Sequence, residues 1–361
     1  MSEGALPRVT LGSFELVLKG EDRMQACEVL IGKEAVFISM VADGHGGNGA
    51  SVYCHKHMLD HFIEAAAGEP DAKSLRHAAR STFERLHREV LELDPPTTAG
   101  STLTICALNP KRREITCAHV GDSVALLVPQ SGDFTELCED HRIETSARER
   151  TRLLAAGGAI APASDRHGRP GGPLRLWPGG VAQARSIGDS DIGAFNDSRP
   201  YTSSYPFPAC VRADVVVCSD GVWDALHHAS VAAICRKAGG CTAGTVARLI
   251  VKASLQQRHA YDNQVRLTDL TCPRGPDLWP YIQPTHLSAL PTPTHPCPHP
   301  CPHPCPHPCP HPCPHLCPPP LILSHSFPPL PTPAHFCTSL PWPCPAHPCY
   351  VAHPAMYIKL E

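Results

Sequence analysis

Three carboxylate-bearing turns hold most of the chemistry available to this chain: Asp43-Gly44-His45-Gly46-Gly47, Gly121-Asp122-Ser123 and Ser219-Asp220-Gly221-Val222-Trp223-Asp224. Each follows a short apolar run, respectively Val36 to Ala42, Ile115 to Val120 and Val215 to Cys218. Such runs read as buried strands, and strands that each deliver a carboxylate at one end can gather those charges at one edge of a β core. Like charges are tolerable there only around a cation. Oxygen-only ligands select hard ions, so the pattern points to Mg²⁺ or Mn²⁺ and to metal-assisted hydrolysis.

Leu11 to Leu18 and Val29 to Ser39 read as the strands that frame these turns, and Ala50 to Ala67 as a helix after the glycine-rich one. Asp71 is placed to cap a second helix. In it Leu75, Ala78, Ala79, Phe83, Leu86, Val90 and Leu93 recur at spacings of three and four until Pro95-Pro96. Ser101 to Leu108 and Glu114 to Val128 alternate as strands, broken by Asn109-Pro110 and Gly121-Asp122. The run Glu144 to Ala156 predicts a helix that stops at Gly157-Gly158. Ala161 to Gly180, rich in Gly and Pro, reads as an exposed loop bordering a site, before strand-like Val181 to Ile187. Helical segments follow around Asp224 to Lys237 and Thr242 to Gln257. Strands in blocks with paired helices between them favour an α+β sandwich over a doubly wound sheet.

Composition divides the chain near Val265. Before it lies ordinary globular sequence with 13 of the 41 prolines; from Arg266 onward come 28 prolines, 10 of the 19 cysteines and 11 of the 23 histidines. A net charge of −3 with no Lys/Arg cluster offers no field for nucleic acid. No apolar run approaches the roughly 18 residues that span a bilayer, and no basic, then apolar leader opens the chain, so a cytoplasmic or nuclear protein is expected. The cysteines up to Cys241 read as reduced, buried thiols. No long heptad pattern suggests coiled-coil assembly, and a monomer is expected.

The order of motifs resembles the metal-dependent protein serine/threonine phosphatases of type 2C. The matching segments are Lys19-Gly20-Glu21-Asp22, Val41-Ala42-Asp43-Gly44-His45-Gly46-Gly47, Gly100-Ser101-Thr102-Leu103, His119-Val120-Gly121-Asp122-Ser123, Ala184-Arg185-Ser186-Ile187-Gly188-Asp189 and Cys218-Ser219-Asp220-Gly221-Val222-Trp223-Asp224. The resemblance implies an α+β fold in which two mainly antiparallel sheets stack as a sandwich flanked by helices. It also implies a binuclear Mg²⁺ or Mn²⁺ site and hydrolysis of phosphoserine and phosphothreonine in phosphoprotein substrates by a metal-bridging hydroxide. Asp43 is implied to bridge both ions, Asp220 and Asp262 to complete one, and Glu21 with the Gly44 carbonyl to face the other, with Asp22 beside this shell. His45 is implied to protonate the leaving oxygen, a role suited to a side chain that titrates near pH ~6.5. Asp122 and Asp224 match the positions of a third, weaker ion.

Lys19 stands where many members place an arginine that grips the substrate phosphate. A lysine is a point charge without the bidentate fork, and Arg23 or Arg185 are alternatives for that role. Val124 replaces an arginine often found after Gly-Asp-Ser. Asp189 reads equally as a metal-site neighbour or as a turn residue. His55, His57 and His61 read as solvated histidines of one helix rather than as a zinc site.

Tyr261-Asp262-Asn263 opens the family's last motif, but Gln264-Val265-Arg266 follows in place of an apolar, β-branched strand. The last strand is therefore expected to be missing, leaving residues 1–265 as a C-terminally incomplete catalytic domain. Losing about four buried aliphatics at about 1.5–3 kcal/mol each removes roughly 6–12 kcal/mol, comparable with a domain's whole stability of about 5–15 kcal/mol. The alternative function is thus a catalytically impaired domain that serves as a phosphoprotein-binding or regulatory module once Asp262 loses its anchorage. Residues 266–361, with Cys-Pro-His-Pro repeats from Cys297 to His315, read as a disordered tail. Gln-Val-Arg is encodable by a splice-donor consensus, and pyrimidine-rich DNA encodes Pro, Leu, Ser, His and Cys. The hypothesis is that this stretch is read-through of non-coding sequence; a spliced transcript encoding the same tail would refute it. Chelation of Zn²⁺ or Cu⁺ by the tail is opposed by proline at every intervening position.

Overall fold

A computed structural model of the chain describes residues 6–17, 19–164, 170–207, 212–262 and 355–360. The apolar runs build two five-stranded antiparallel sheets. One has the order β13 (Tyr201–Pro206), β7 (Glu114–Val120), β6 (Leu103–Asn109), β3 (Glu34–Ala42) and β2 (Arg23–Ile31). The other has the order β1 (Val9–Phe14), β15 (Ala355–Leu360), β14 (Ala213–Cys218), β8 (Val124–Pro129) and β9 (Thr135–Glu136).

Alternation along the strands divides each sheet's side chains between two faces. Val41, Cys106 and Cys117 of the first sheet meet Ala125, Leu127, Val215, Val217, Met356 and Ile358 of the second in the layer between them. The other face of the first sheet, with Val36, Ile38, Met40 and Ile105, is covered by α1 (Gly49–Ala66) and α2 (Ala72–Leu91). Val216, Cys218, Val128 and Tyr357 of the second sheet pack under α5 (His228–Lys237) and α6 (Ala243–Asp262). The result is the helix-flanked sandwich of the α+β class. Asp71 caps α2 as its sequence position predicts, with its carboxylate accepting from the amides of Lys73 at 2.9 Å and Ser74 at 3.1 Å.

Several expectations need correction. The last strand is present: Ala355–Leu360 lies between β1 and β14, with Ile358 opposite Leu11 on one side and Val215 on the other. The apolar strand sought immediately after Asn263 occurs near the chain's end, as Ala-Met-Tyr-Ile-Lys-Leu, so residues 355–360 are not tail. The remainder of the tail lies outside the described residues. Val29 to Ser39 is not one strand but the turn of a hairpin, because Gly32 takes a φ of +61° between β2 and β3. Ala161 to Gly180 is largely a hairpin, β10 (Ala159–Ser164) with β11 (Pro170–Trp177), rather than a loop. Val181 to Ile187 makes only isolated bridges before the short β12 (Ile187–Gly188). α3 (Ala147–Ala155) begins later than Glu144, where the Ser146 hydroxyl accepts from Glu149 N. The described cysteines are free thiols, as expected. Among the described residues no helix is long and apolar enough to cross a membrane.

Candidate metal centre

Two short strands, β4 (Gly44–His45) and β5 (Gly100–Ser101), pair with β12 to form a small sheet at the edge of the sandwich. There β3 ends at Ala42, and β14 runs through Ser219 into α4 (Asp220–Trp223). Asp43 is fixed by its backbone. Its N–H donates to Thr102 Oγ1 at 3.0 Å, its carbonyl accepts from Thr102 N at 2.8 Å, and Thr102 Oγ1 lies 2.9 Å from Ser123 Oγ. Gly-Ser-Thr at 100–102 and Gly-Asp-Ser at 121–123 thus converge on the first carboxylate turn. Gly121, at φ +98°, lies so near Thr102 that a Cβ would come within 2.6 Å of its side chain.

Asp43 lies within hydrogen-bonding reach of Asp22 on one side and Asp220 on the other, a chain of three carboxyls. Burial raises all three pKa values. Asp22 is pushed up to about 7 by desolvation and the charges of Asp220 and Glu21, and Asp220 to about 6 by desolvation and the charges of Asp122 and Asp224. Asp43, between them, is raised well above the carboxylate range by burial and then by Asp220 and Asp22. Two carboxylate oxygens, Asp22 Oδ2 and Asp220 Oδ1, are buried with no hydrogen-bond partner. Shared protons and orphaned oxygens are what a hard divalent cation would relieve, so the donor set fits Mg²⁺ or Mn²⁺. Among the described residues no three His, Cys, Asp or Glu side chains form a ready ligand set, so these carboxylates must draw together to hold an ion.

The same cleft, about 480 Å³, is lined by Lys19, Glu21, Asp22, Asp43, Gly44, His45, Asp122, Arg175, Gln183, Asp189 and Asp220. Glu21 is oriented by Gly47 N, which donates to Oε1 at 2.9 Å. His45 Nε2–H donates to Asp189 Oδ1 at 2.7 Å, and Gln183 Nε2 meets Nδ1 at 3.0 Å. Burial by itself would depress the imidazolium. The hydrogen bond and charge of Asp189, with Asp122 and Glu21, outweigh burial and raise the His45 pKa above the ordinary histidine value. Asp189 also accepts from the Ser186 hydroxyl, and its carboxylate sits where a Cβ on Gly100 would stand. Both open readings of Asp189 hold: it is the neighbour of His45 in the cleft, and, at φ +54° with Ile192 N donating to its carbonyl, it turns the chain after β12.

Asp122 and Asp224 are brought together by Arg142, whose Nε donates to Asp122 Oδ2 at 2.9 Å and whose Nη2 lies 2.7 Å from Asp224 Oδ1. His119 and His141, stacked 4.4 Å apart, brace this turn, and Gly121 N donates to His141 Nδ1 at 3.2 Å. Burial, followed by the Arg185 charge, pushes His141 down to about 3, so it stays neutral. Lys19 is exposed at the cleft. The two alternatives for gripping phosphate are committed elsewhere: Arg23 to the carbonyls of Gly20 at 2.8 Å and Asp22, Arg185 to Glu149 at 2.7 Å. Arg175, Gln183 and Arg142 were not singled out from sequence. His61 is not solvated but buried against Glu89 at 2.7 Å. Asp262 is the last residue of α6, and its side chain lies outside what is described.

A two-sheet sandwich flanked by helices, with an edge cleft of carboxylates, defines an α+β protein with an acidic centre suited to a hard divalent cation. The family model for protein phosphatase 2C matches residues 13–260. The chain is 32% identical over 296 residues to "Probable protein phosphatase 2C 5" of Arabidopsis thaliana, covering 80% of this chain and 65% of that one. It is 35% identical over 236 residues to "Probable protein phosphatase 2C 3" of Oryza sativa subsp. japonica, covering 64% and 46%. Among solved structures it is similar in fold to a serine-threonine phosphatase 2C from Toxoplasma gondii, with TM-score 0.59 and 17% identity over 72% of this chain and 92% of that one. It is likewise similar to a C. elegans sex determining protein, with TM-score 0.60 and 22% identity over 69% and 62%. The chain belongs to the protein phosphatase 2C family. It spans 65% and 46% of the length of these two curated relatives.

Proposed function

We propose that the chain is a Mg²⁺- or Mn²⁺-dependent protein serine/threonine phosphatase acting on phosphoproteins. The observation that carries this reading is the buried Asp22–Asp43–Asp220 chain, with raised pKa values and orphaned oxygens, at the floor of an open cleft. Asp43, between the other two, is the carboxylate suited to bridging two ions. Asp220 with Asp262 would hold one, and Glu21 with the Gly44 carbonyl the other, with Asp22 beside them. When bound, such ions neutralise phosphoryl oxygens and lower the pKa of water.

The chain's own residues supply the rest. Lys19, exposed at the cleft, brings positive charge to the phosphate, with Arg175, held to the Gly180 carbonyl, adding to it. Asp189 holds Nε2–H of His45, and Nδ1 accepts from Gln183 Nε2 in the neutral ring; in the doubly protonated ring Nδ1–H, turned from Gln183 toward the leaving serine or threonine oxygen, is the proton delivered. The raised His45 pKa favours the doubly protonated ring that this delivery needs. The binding-module alternative was motivated by a missing strand and by loss of anchorage at Asp262; β15 supplies the strand, and the Asp262 side chain lies outside the described residues.

The test is phosphate release from a phosphothreonine peptide by the full chain in Mn²⁺, before and after chelation. Release abolished by chelation and restored by Mn²⁺ is expected. A folded, Mn²⁺-loaded chain that releases no phosphate would contradict the proposal.

A further inference from the structure

The pair Asp122 and Asp224 is the position expected for a third, weaker ion, yet a fixed cation of the chain's own already lies between them. Arg142 is framed by backbone on both sides. Ile143 N donates to Ala182 O at 2.8 Å, Ala184 N donates to His141 O at 2.9 Å, and Arg142 itself bridges to Gln183. Its amide is further tied to Asp140 Oδ1 at 2.9 Å. From this anchored position the guanidinium uses Nε on Asp122 and Nη2 on Asp224, at 2.9 and 2.7 Å. A planar fork that never deprotonates is suited to holding two carboxylates apart at fixed geometry. Asp122 is 10% exposed and Arg142 29%, so the Asp122 bond is weakly screened, whereas the Asp224 end, at 44%, is open to solvent.

From this arrangement, and resting on the metal-dependent reading above, we infer that Arg142 is the built-in counter-cation of the Asp122–Asp224 pair. In the native chain this pair holds no metal ion of its own, and removing the Arg142 charge opens a divalent-cation site there. A metal at this place must displace the guanidinium from two charge-assisted hydrogen bonds and then share the site with an unpaired +1 charge. Neither Asp22 nor Asp43 contacts Arg142, so the main centre is left with its own ligands. The same residue also links the two halves of the site. Its backbone partner Gln183 meets the His45 ring, while its side chain holds Asp122 and Asp224.

The experiment counts Mn²⁺ bound to the full chain, by titration calorimetry and by the electron paramagnetic resonance signal of free Mn²⁺. The proteins compared are wild type, Arg142→Gln, Arg142→Lys and Asp224→Asn. Arg142→Gln is expected to bind one further equivalent, or to tighten its weakest equivalent at least tenfold. Arg142→Lys keeps the charge and is expected to keep the wild-type count. Asp224→Asn in the wild-type background is expected to leave the count unchanged, because Asp224 is already engaged by Arg142; this arm decides the matter if Arg142→Gln does not fold. Unchanged binding in folded Arg142→Gln, or an equivalent lost in Asp224→Asn, would overturn the inference while leaving the phosphatase reading standing. A wild-type chain that binds no Mn²⁺ at all would sink both.

Discussion

Joining Asn263 directly to Ala355, with residues 264–354 removed, is expected to leave the sandwich folded and to stabilise it. Near the end of α6, Arg258 Nη2 donates to the Gly221 carbonyl at 3.0 Å, and Ala355 pairs with Cys218 at the end of β14. The end of α6 and the start of β15 therefore both lie toward the Cys218 end of β14, and the joined chain tests whether so short a connection closes. Closure entropy grows as about 3/2 RT ln n, so shortening a connection of roughly ninety residues to a couple favours the folded state by up to roughly 3 kcal/mol. Cutting the chain after residue 354 should do the opposite. It unburies Met356, Tyr357 and Ile358, at about 1.5–3 kcal/mol each, or roughly 5–9 kcal/mol against a typical total of about 5–15 kcal/mol. It also removes the buried Lys359 ammonium from the Gly239 carbonyl at 2.7 Å. Ile358→Ala alone should cost about 2–5 kcal/mol. Urea unfolding followed by far-UV circular dichroism measures all three. A joined chain that is unfolded or less stable than the full chain, or a truncated one of unchanged midpoint, would refute the role given to β15.

Three further outcomes are expected. An acid whose pKa is higher folded than unfolded stabilises the fold below its unfolded value and loses that contribution as pH rises through the folded one. With Asp22 raised from 3.8 to about 7, metal-free protein should lose up to roughly 4 kcal/mol, shared with its coupled neighbours, between pH ~4 and ~7. Saturating Mn²⁺ should flatten this slope in thermal melts, and a metal-free melting temperature that rises over the same range would count against it. Asp189→Asn removes the main group holding the His45 pKa up, so the alkaline limb of the activity profile should move to lower pH. Turnover of a phosphothreonine peptide should fall by about 10²–10⁴, while an aryl phosphate with a good leaving group is spared; equal losses on both substrates would deny His45 the proton-donor role. Thr102→Val leaves the Asp43 amide and Ser123 Oγ without their shared partner and should destabilise by about 1–3 kcal/mol in denaturant titration, with weaker Mn²⁺ binding; unchanged stability would contradict the bracing role.

Much of the fold was legible because the strands obey period two and the helices period 3.6. Val36 to Ala42 and the Leu75-to-Val90 stripe each face the layer their pattern requires. The carboxylate turns were legible because Asp-Gly and Gly-Asp pairs close apolar runs. What escaped was non-local. Arg142 and Gln183 lie in unremarkable sequence, and their importance comes from a bridge between segments some forty residues apart. The Asp189–His45 pairing spans most of the domain and leaves no local signature. The closing strand was sought next to Asn263 because sheet order is normally reached by a short connection; pairing is indifferent to the length of chain in between, and Met356, Tyr357 and Ile358 carry the alternation wherever they occur. The hairpin at Ala159–Trp177 was masked by its glycines and prolines.

The central claim, that Asp43 and Asp220 gather the metal with which this chain hydrolyses phosphoproteins, is tested most directly by one assay. Phosphate release from a phosphothreonine peptide is measured against Mn²⁺ concentration for the wild type, Asp43→Asn and Asp220→Asn, each shown to be folded. The account predicts Mn²⁺-dependent release by the wild type and its loss in both variants, with Mn²⁺ binding weakened in parallel. Release that persists in folded Asp43→Asn at the wild-type Mn²⁺ dependence would contradict it.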